Sequence, residues 1–383
     1  MSIRPVSIVG IGQVPVVKVS PNSLRELGAA AVKRALEDAS VDRVDALFAG
    51  NMLSDELQNQ KHIAALIADH TGLVGIEALE VRAATATGAA ALRMAYFSVA
   101  SGEADLAVAV GVEKMSDGVA TPALAKALDA EKELPGGATL ISRNADLMRW
   151  YRERYRVPED GFFNFAINAH RNARTNPNAL FRDKPINRRD MLNSRLINAP
   201  IRLLDCAPIC DGAAAVILAP ESEARAYTDH PVHILASSVA TDRFRVQDRD
   251  DPLFLKAAHD SAQAAFRRAN LNRHDVSFFE AHDAFTIMTC LLLEAVGYAK
   301  PGQGWRLATT DEIRLRGKIP ISTMGGLKAR GHPIGASALY QVCEIVLQLT
   351  GRAGKNQVPK AKIAMLQSVG GAASTVLTHL FGT

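Results

Sequence analysis

The sequence is poor in aromatic residues (5%), has only four cysteines and contains no long apolar run. Each shortage removes a class of protein. No stretch reaches the roughly 18 apolar residues that a membrane span requires, and the first residues, Met1 to Val6, form no apolar signal-peptide core. Four cysteines in 383 residues are too sparse for a disulfide framework. Cys206 and Cys210 enclose only Ala207–Ile209, and no second pair or nearby histidine completes a zinc site. No block of one sign of charge stands out, and the net charge is +4, which excludes a nucleic-acid footprint. These absences predict a reducing, cytoplasmic setting, with no metal, no nucleic-acid partner and no membrane span. A weakly positive balance suits a small anionic ligand.

What is present is a run of small residues and an alternation of strand and helix signals. Small residues allow close packing of helix on sheet, favouring a layered α/β body over a β-sandwich. The periodicity predicts strands at 6–10, 45–50, 78–82 and 106–111, with helices at 24–39, 61–70 and 89–100 between them. Ser23 is placed to cap the first helix. A strand at 213–219 closes this series. The order then repeats: strand 232–237, helix 252–270, strands 276–280 and 319–323, a helix from about 335, and strands 363–368 and 374–379. The pattern implies two pseudo-equivalent halves, residues 1–116 with 201–225 and residues 226–383. Residues 117–200 are more polar and too long for a plain loop, so they read as an inserted loop domain with its own helices. In open α/β sheets sites lie at the carboxyl ends of strands, so the glycine-rich turns of both halves are expected at one cleft.

Three segments carry residues suited to chemistry. In Gly325–Ser337, the glycines Gly325, Gly326, Gly331 and Gly335 permit close approach of a ligand. His332 lies between Gly331 and Pro333 at a helix start, where the dipole is expected to lower its pKa and leave a neutral base or donor. In Glu280–Thr286, His282 follows a strand and can donate to a developing oxyanion. Asp283 can orient a neighbour or cap the next helix. In Val81–Ala90, a sharp strand-to-helix turn exposes a side chain and aims helix N–H groups at it; the blander reading is a Thr87 cap. Tyr340, eight residues after His332, is a candidate acid/base, though a core tyrosine is the commoner reading.

GHPIGAS at 331–337 resembles the GHPxGxSG motif of thiolases. HDAF at 282–285 resembles the HDxF variant of the thiolase NEAF motif, found in sterol-carrier-protein-type and archaeal-type thiolases. Val110–Ser116, Leu203–Ala215 and Asn168–Asn178 are similar to the same families, so the resemblance runs the length of the chain. It implies a thiolase fold: two βαβαβαββ halves in a five-layered αβαβα body with an inserted loop domain. It also implies a dimer acting on coenzyme A thioesters, with no tightly bound cofactor. His332 then corresponds to the histidine that assists the nucleophile. His282 corresponds to the oxyanion-hole histidine, and Ser337, Gly370 and Gly371 join the glycines above as substrate contacts. Three positions depart from the pattern. Thr85 stands where thiolases carry the nucleophilic cysteine, and Gln367–Gly371 lacks the second, acid/base cysteine. Ser322 stands where an asparagine precedes the double-glycine turn. A thiol has a pKa near ~8.5, whereas a threonine hydroxyl needs a dedicated base, and Cys206, Cys210, Cys290 and Cys343 read as structural. The expected activity is thiolase-like acyl transfer through a histidine-stabilised enolate. The alternatives are a retro-aldol reaction on a 3-hydroxyacyl-CoA without an acyl-enzyme, or a non-catalytic subunit that binds acyl-CoA. Related enzymes of this kind work with a small zinc-ribbon and OB-fold partner.

Overall fold

The computed structural model describes residues 3–383. The first half runs β1 (Val6–Gln13), α1 (Leu24–Ala39), β2 (Ala46–Gly50), a short α2 (Ser54–Leu57), α3 (Ile63–Thr71), β3 (Glu77–Val81), α4 (Thr87–Ser101) and β4 (Ala107–Lys114). The stretch after β4 carries α5 (Ala120–Ala125), α6 (Leu140–Tyr155), α7 (Phe163–Ala173), α8 (Arg188–Asn193) and a small hairpin of β5 (Leu196–Asn198) and β6 (Ile201–Arg202). Then come β7 (Asp211–Pro220), β8 (Val232–Thr241), α9 (Lys256–Ala269), β9 (Phe278–Glu280), α10 (Thr286–Val296) and α11 (Gly304–Thr309). The chain closes with α12 (Ser337–Leu349), β10 (Ile363–Gly370) and β11 (Thr375–Gly382).

Local chemistry explains the first helix. Ser23 accepts the Glu26 N–H and the Glu26 carboxylate accepts the Ser23 N–H, a capping box, while Ser40 ends the helix in a left-handed conformation. Leu24, Leu27, Ala31, Ala35 and Leu36 form its buried face.

The strands follow the order β3-β2-β4-β7-β1-β8-β11-β10-β9. The β1–β8 junction is only two residue pairs wide, Ser7 with His233 and Ile8 with Val232. On either side of it the sequence of strands mirrors itself: β1, β7, β4, β2, β3 outward one way and β8, β11, β10, β9 the other. Helices α4 and α12 lie between the two half-sheets in one apolar core. Helices α1 and α3 cover the outer face of the first half, and α9 and α10 that of the second. This is the five-layered α/β arrangement. Helix α12 is buried nearly all round, as a central-layer helix must be.

The fifth strand of the second half is the exception. Residues 319–323 form a single bridge, Ile321 to Phe279, rather than a strand. Side chains take the hydrogen bonds that a ladder would make. Asn168 Nδ2 donates to Ile321 O (3.3 Å), Asn172 Nδ2 to Ser322 O (3.0 Å), Asn356 Nδ2 to Thr323 O (2.8 Å) and Asn176 Nδ2 to Met324 O (2.8 Å). Three of these asparagines follow each other at intervals of four residues on and just beyond α7.

Candidate active site

The turn from β3 into α4 presents Thr85. Ala84 takes a left-handed φ of 48°, and Thr87 ties the turn by accepting the Ala83 N–H (2.9 Å) and donating to Ala84 O (2.7 Å). Thr85 Oγ1 donates to Val369 O at 2.6 Å and accepts the Gly371 N–H at 3.1 Å. Its proton is therefore committed to a backbone carbonyl, which cannot act as a base. The side chain is 5% exposed.

His332 is held from three sides. Its backbone N–H donates to Cys210 Sγ at 3.1 Å. Ring Nδ1 lies 2.7 Å from Ser337 Oγ, and that hydroxyl donates to Pro333 O at 3.1 Å. With its proton given to Pro333, Ser337 accepts from Nδ1–H, which assigns the tautomer and leaves Nε2 as the free acceptor. The loop carrying His332 is pinned by backbone approach. A Cβ at Gly335 would lie 2.6 Å from Gly50 O, and one at Gly88 or Gly111 would strike Gly335 O at 2.6 or 2.3 Å. Glu113, wholly buried, gathers both sides of this contact. It accepts the Gly335 and Met52 N–H groups on one oxygen, and the Leu53 N–H and Asn51 Nδ2 on the other. Burial pushes its carboxyl up to about 7 against the pull of those donors.

His282 meets His332 edge to face, with ring centroids 5.3 Å apart. Burial lowers His282 to about 3. His332 is also pushed well below its ordinary value, by burial first and then by His282 and Arg330. Both rings are neutral at pH 7, but desolvation, rather than the helix dipole expected from the sequence, is the main cause. Asp283 does not cap the following helix, whose cap position, Phe285, makes no side-chain hydrogen bond. Instead it accepts the Ser322 hydroxyl (2.8 Å) and the Leu327 N–H (2.6 Å), holding the turn that contains Gly325 and Gly326.

Thr85, His282 and His332 open on one cavity of about 490 Å³. Its walls are mainly apolar, with Met115, Leu124, Leu140, Ile141, Phe285, Met288 and Ile334 prominent. Lys18 and Arg195, both exposed, are its cations. Among the other positions singled out from the sequence, Gly371 lines the cavity. Gly325, Gly326, Gly331, Gly335 and Gly370 pack against protein, and Ser337 stands behind His332. Tyr340 is a core residue, donating to Val14 O (2.6 Å) and accepting the Ala213 N–H (3.0 Å). All four cysteines are free thiols. Two of them lie closer to the site than their sequence context implied: Cys206 lines the cavity and Cys210 holds His332. Burial raises these thiols to about 11 and about 12, so neither is a ready nucleophile. Among the described residues no cluster of His, Cys, Asp or Glu could hold a metal ion, and no helix is long and apolar enough to cross a membrane.

The residues that sequence reading passed over are Glu113, Glu280 and the asparagines of α7. Glu113 and the asparagines lie in segments noted for family resemblance, and Glu280 opens the segment singled out for His282; those were the available signals.

Comparison with known proteins bears on this arrangement. Residues 6–194 match the family described as Thiolase, N-terminal domain, and residues 238–383 that described as Thiolase C-terminal domain-like. The chain is 41% identical over 381 residues to an acetyl-CoA acetyltransferase of Methanothermobacter thermautotrophicus, covering 99% of both chains. It is 30% identical to human sterol carrier protein 2, covering 98% of this chain and 72% of the human one. Among solved structures, an Ltp2-ChsH2(DUF35) aldolase superposes with a TM-score of 0.86 at 24% identity, over 99% of this chain and 98% of that one.

Proposed function

The chain belongs to the thiolase superfamily, on its sterol-carrier-protein-type branch, and from that premise we propose that it makes or breaks the carbon–carbon bond beside a CoA thioester through a histidine-stabilised enolate, without an acyl-enzyme. It is an enzyme of thiolase-type chemistry; the finer reading concerns which atoms do the work. The observation that carries it is the neutral His282–His332 pair in an apolar cavity beside a threonine whose hydroxyl is engaged by backbone.

In the cleavage direction with a 3-hydroxyacyl-CoA, His332 Nε2 takes the proton of the 3-hydroxyl. The C2–C3 bonding pair moves toward the thioester as C3 becomes a carbonyl carbon. His282, as N–H donor, stabilises the enolate oxygen. The His332 imidazolium then returns its proton to C2, releasing a shortened acyl-CoA and an aldehyde or ketone. Low polarity makes a free imidazolium costly, but here it forms beside the enolate and is stabilised by it. The same enolate can attack a second thioester with release of CoA, the acyl transfer suggested by the acetyl-CoA acetyltransferase relative. An acyl-threonine route is disfavoured because the Thr85 hydroxyl gives its proton to Val369 O and to no histidine. A purely structural subunit is disfavoured because a tautomer-fixed histidine facing a cavity has no packing purpose.

The apolar cavity suits the acyl group, and Lys18 and Arg195 suit the anionic part of CoA. No tightly bound cofactor is invoked. A homodimer fits the exposed edge strand β3, where Leu79 lies near Met94 and Phe97 of α4, all well exposed. A small zinc-ribbon and OB-fold partner would help hold CoA, and the cytoplasm suits the free thiols. The direct test of the enolate is exchange of the C2 protons of acetyl-CoA in D2O, followed by NMR. Exchange in the wild type that is lost in His332→Ala supports the reading; no exchange in the wild type, with or without partner, overturns it.

A further inference from the structure

The outer face of the second half carries a double groove that the chemistry above does not use. A hollow of about 510 Å³ lies between α9 and the end of α10, and one of about 320 Å³ adjoins it. Gln263, Arg273 and Val296 wall both. Each volume falls in the roughly 300–1,000 Å³ usual for small-ligand sites. The groove is separate from the active-site cavity, with which it shares no wall residue. Helix α10 touches both: Met288 faces the cavity and Glu294 to Val296 line the groove, which puts the two about 10 Å apart along the helix axis.

The groove is cationic. Arg273 walls both hollows, Lys300 the larger and Arg267 the smaller, and all three are exposed. Among the described residues none of these three side chains has an ion-pair or hydrogen-bond partner. Glu294 is the one carboxylate in either wall, and its Oε1 is already engaged from within, accepting the Tyr151 hydroxyl and the Gly304 N–H. Free guanidinium and ammonium groups of this kind are donors for phosphate.

The groove is also aromatic. Phe254, on the wall of the larger hollow, is 42% exposed and leans on His259 with ring centroids 5.5 Å apart. An exposed ring face is a stacking platform for a base. His259 Nδ1 donates to Ala295 O at 3.0 Å, which leaves Nε2 as the acceptor of the neutral ring. The Gln263 amide, placed where the hollows meet, adds a donor and an acceptor. Inorganic phosphate would use the cations and leave Phe254 idle, and an acidic peptide has no flat base to stack. A base joined to more than one phosphate uses all of these groups together.

We propose that this double groove is a second ligand site, for a nucleoside diphosphate, with the base on Phe254 and the phosphates on Arg273, Lys300 and Arg267. The occupant is either a free nucleotide or the nucleotide end of a CoA. The site does not depend on the histidine–enolate reading.

The test is isothermal titration of the substrate-free, full-length protein with ADP and, separately, with inorganic pyrophosphate. Arg273, Lys300 and Phe254 are exposed, so their substitution leaves the core intact. Saturable ADP binding is expected in the wild type. Arg273→Ser and Lys300→Ser should each weaken it about 10-fold or more, while Arg195→Ser, at the mouth of the active-site cavity, should leave it unchanged. Phe254→Ala should weaken ADP about 5-fold or more and leave pyrophosphate as it was. ADP displaced by free CoA identifies the nucleotide end of CoA as the occupant; ADP that stays under saturating CoA identifies a free nucleotide, and both support the site. No ADP binding in the wild type overturns the proposal. So does binding lost in Arg195→Ser and kept in Arg273→Ser, which would put ADP at the active-site cavity. Wild-type affinity for ADP in Phe254→Ala overturns the nucleotide assignment. No turnover is measured, so the outcome is independent of the enolate reading.

Discussion

Replacing Thr85 with valine removes one oxygen and little else. Valine keeps the β-branch and nearly the volume, so the turn conformation is retained. What is lost is a hydroxyl that donates to Val369 O at 2.6 Å and accepts the Gly371 N–H at 3.1 Å. Two hydrogen bonds at about 1 kcal/mol each, with Gly371 left facing a methyl group, give a destabilisation of about 2 kcal/mol. That loss should appear in urea unfolding and be absent from Thr85→Ser, which keeps both bonds. Turnover is the discriminating readout. If Thr85 only braces the β10–β11 connection against the α4 turn, cleavage of a 3-hydroxyacyl-CoA by Thr85→Val should stay within about tenfold of the wild type. Removal of a covalent nucleophile costs far more, about 10⁴- to 10⁶-fold in kcat. A loss above about 10³-fold, with the stability change at or below 2 kcal/mol, would refute the reasoning.

Three further expectations follow from the same geometry. His332→Ala should lower kcat/KM by about 10²- to 10⁴-fold, and Ser337→Ala by less, since it frees the tautomer but keeps the ring; steady-state kinetics on both variants checks the order. Gly335→Ala should destabilise by about 1–3 kcal/mol or fail to fold, because its Cβ would lie 2.6 Å from Gly50 O and 3.0 Å from Val112 O; a normal unfolding midpoint would show that the halves can separate locally. Acid should unfold the protein through its histidines: His170 is lowered to about 4, and His282 and His379 to about 3, in each case chiefly by burial. The unfolded chain takes up these protons near pH 6.5 while the folded chain refuses them, so stability is lost as pH falls from 6.5 toward 3. Urea midpoints that stay level from pH 6.5 to 4 would contradict this.

How far these features could be read from the sequence depends on how local their causes are. Helix α1 was legible in its cap and apolar spacing, because Ser23, Glu26 and the Leu24–Leu27–Ala31 face lie within a few turns of one another. The tight turn at 83–88 was legible from its small residues and its place between strand and helix. The approach of the Thr85 turn to the His332 turn was expected from the repeated strand–turn–helix order, which sends the glycine-rich turns of both halves to one cleft, and both residues line one cavity. Glu113 was not legible as a brace, since its partners Met52, Leu53 and Gly335 lie about 60 and 222 residues away. Segment 319–323 has strand-like composition, but asparagines some 150 residues earlier take over its carbonyls. The depressed state of His332 was anticipated from the helix start, yet its larger cause is desolvation by layers that only the folded chain brings together. Cys210 was set aside as structural, and its contact with the His332 N–H shows how a buried thiol can serve a site without reacting.

The central claim is that carbon–carbon chemistry proceeds here without a covalent acyl-enzyme. It is tested most directly by rapid-quench intact-mass measurement during turnover of a 3-hydroxyacyl-CoA, and of acetoacetyl-CoA with free CoA. The account predicts product acyl-CoA with the protein at its unmodified mass throughout. An acyl adduct that forms and decays at the rate of turnover, and that maps to Thr85, would contradict it.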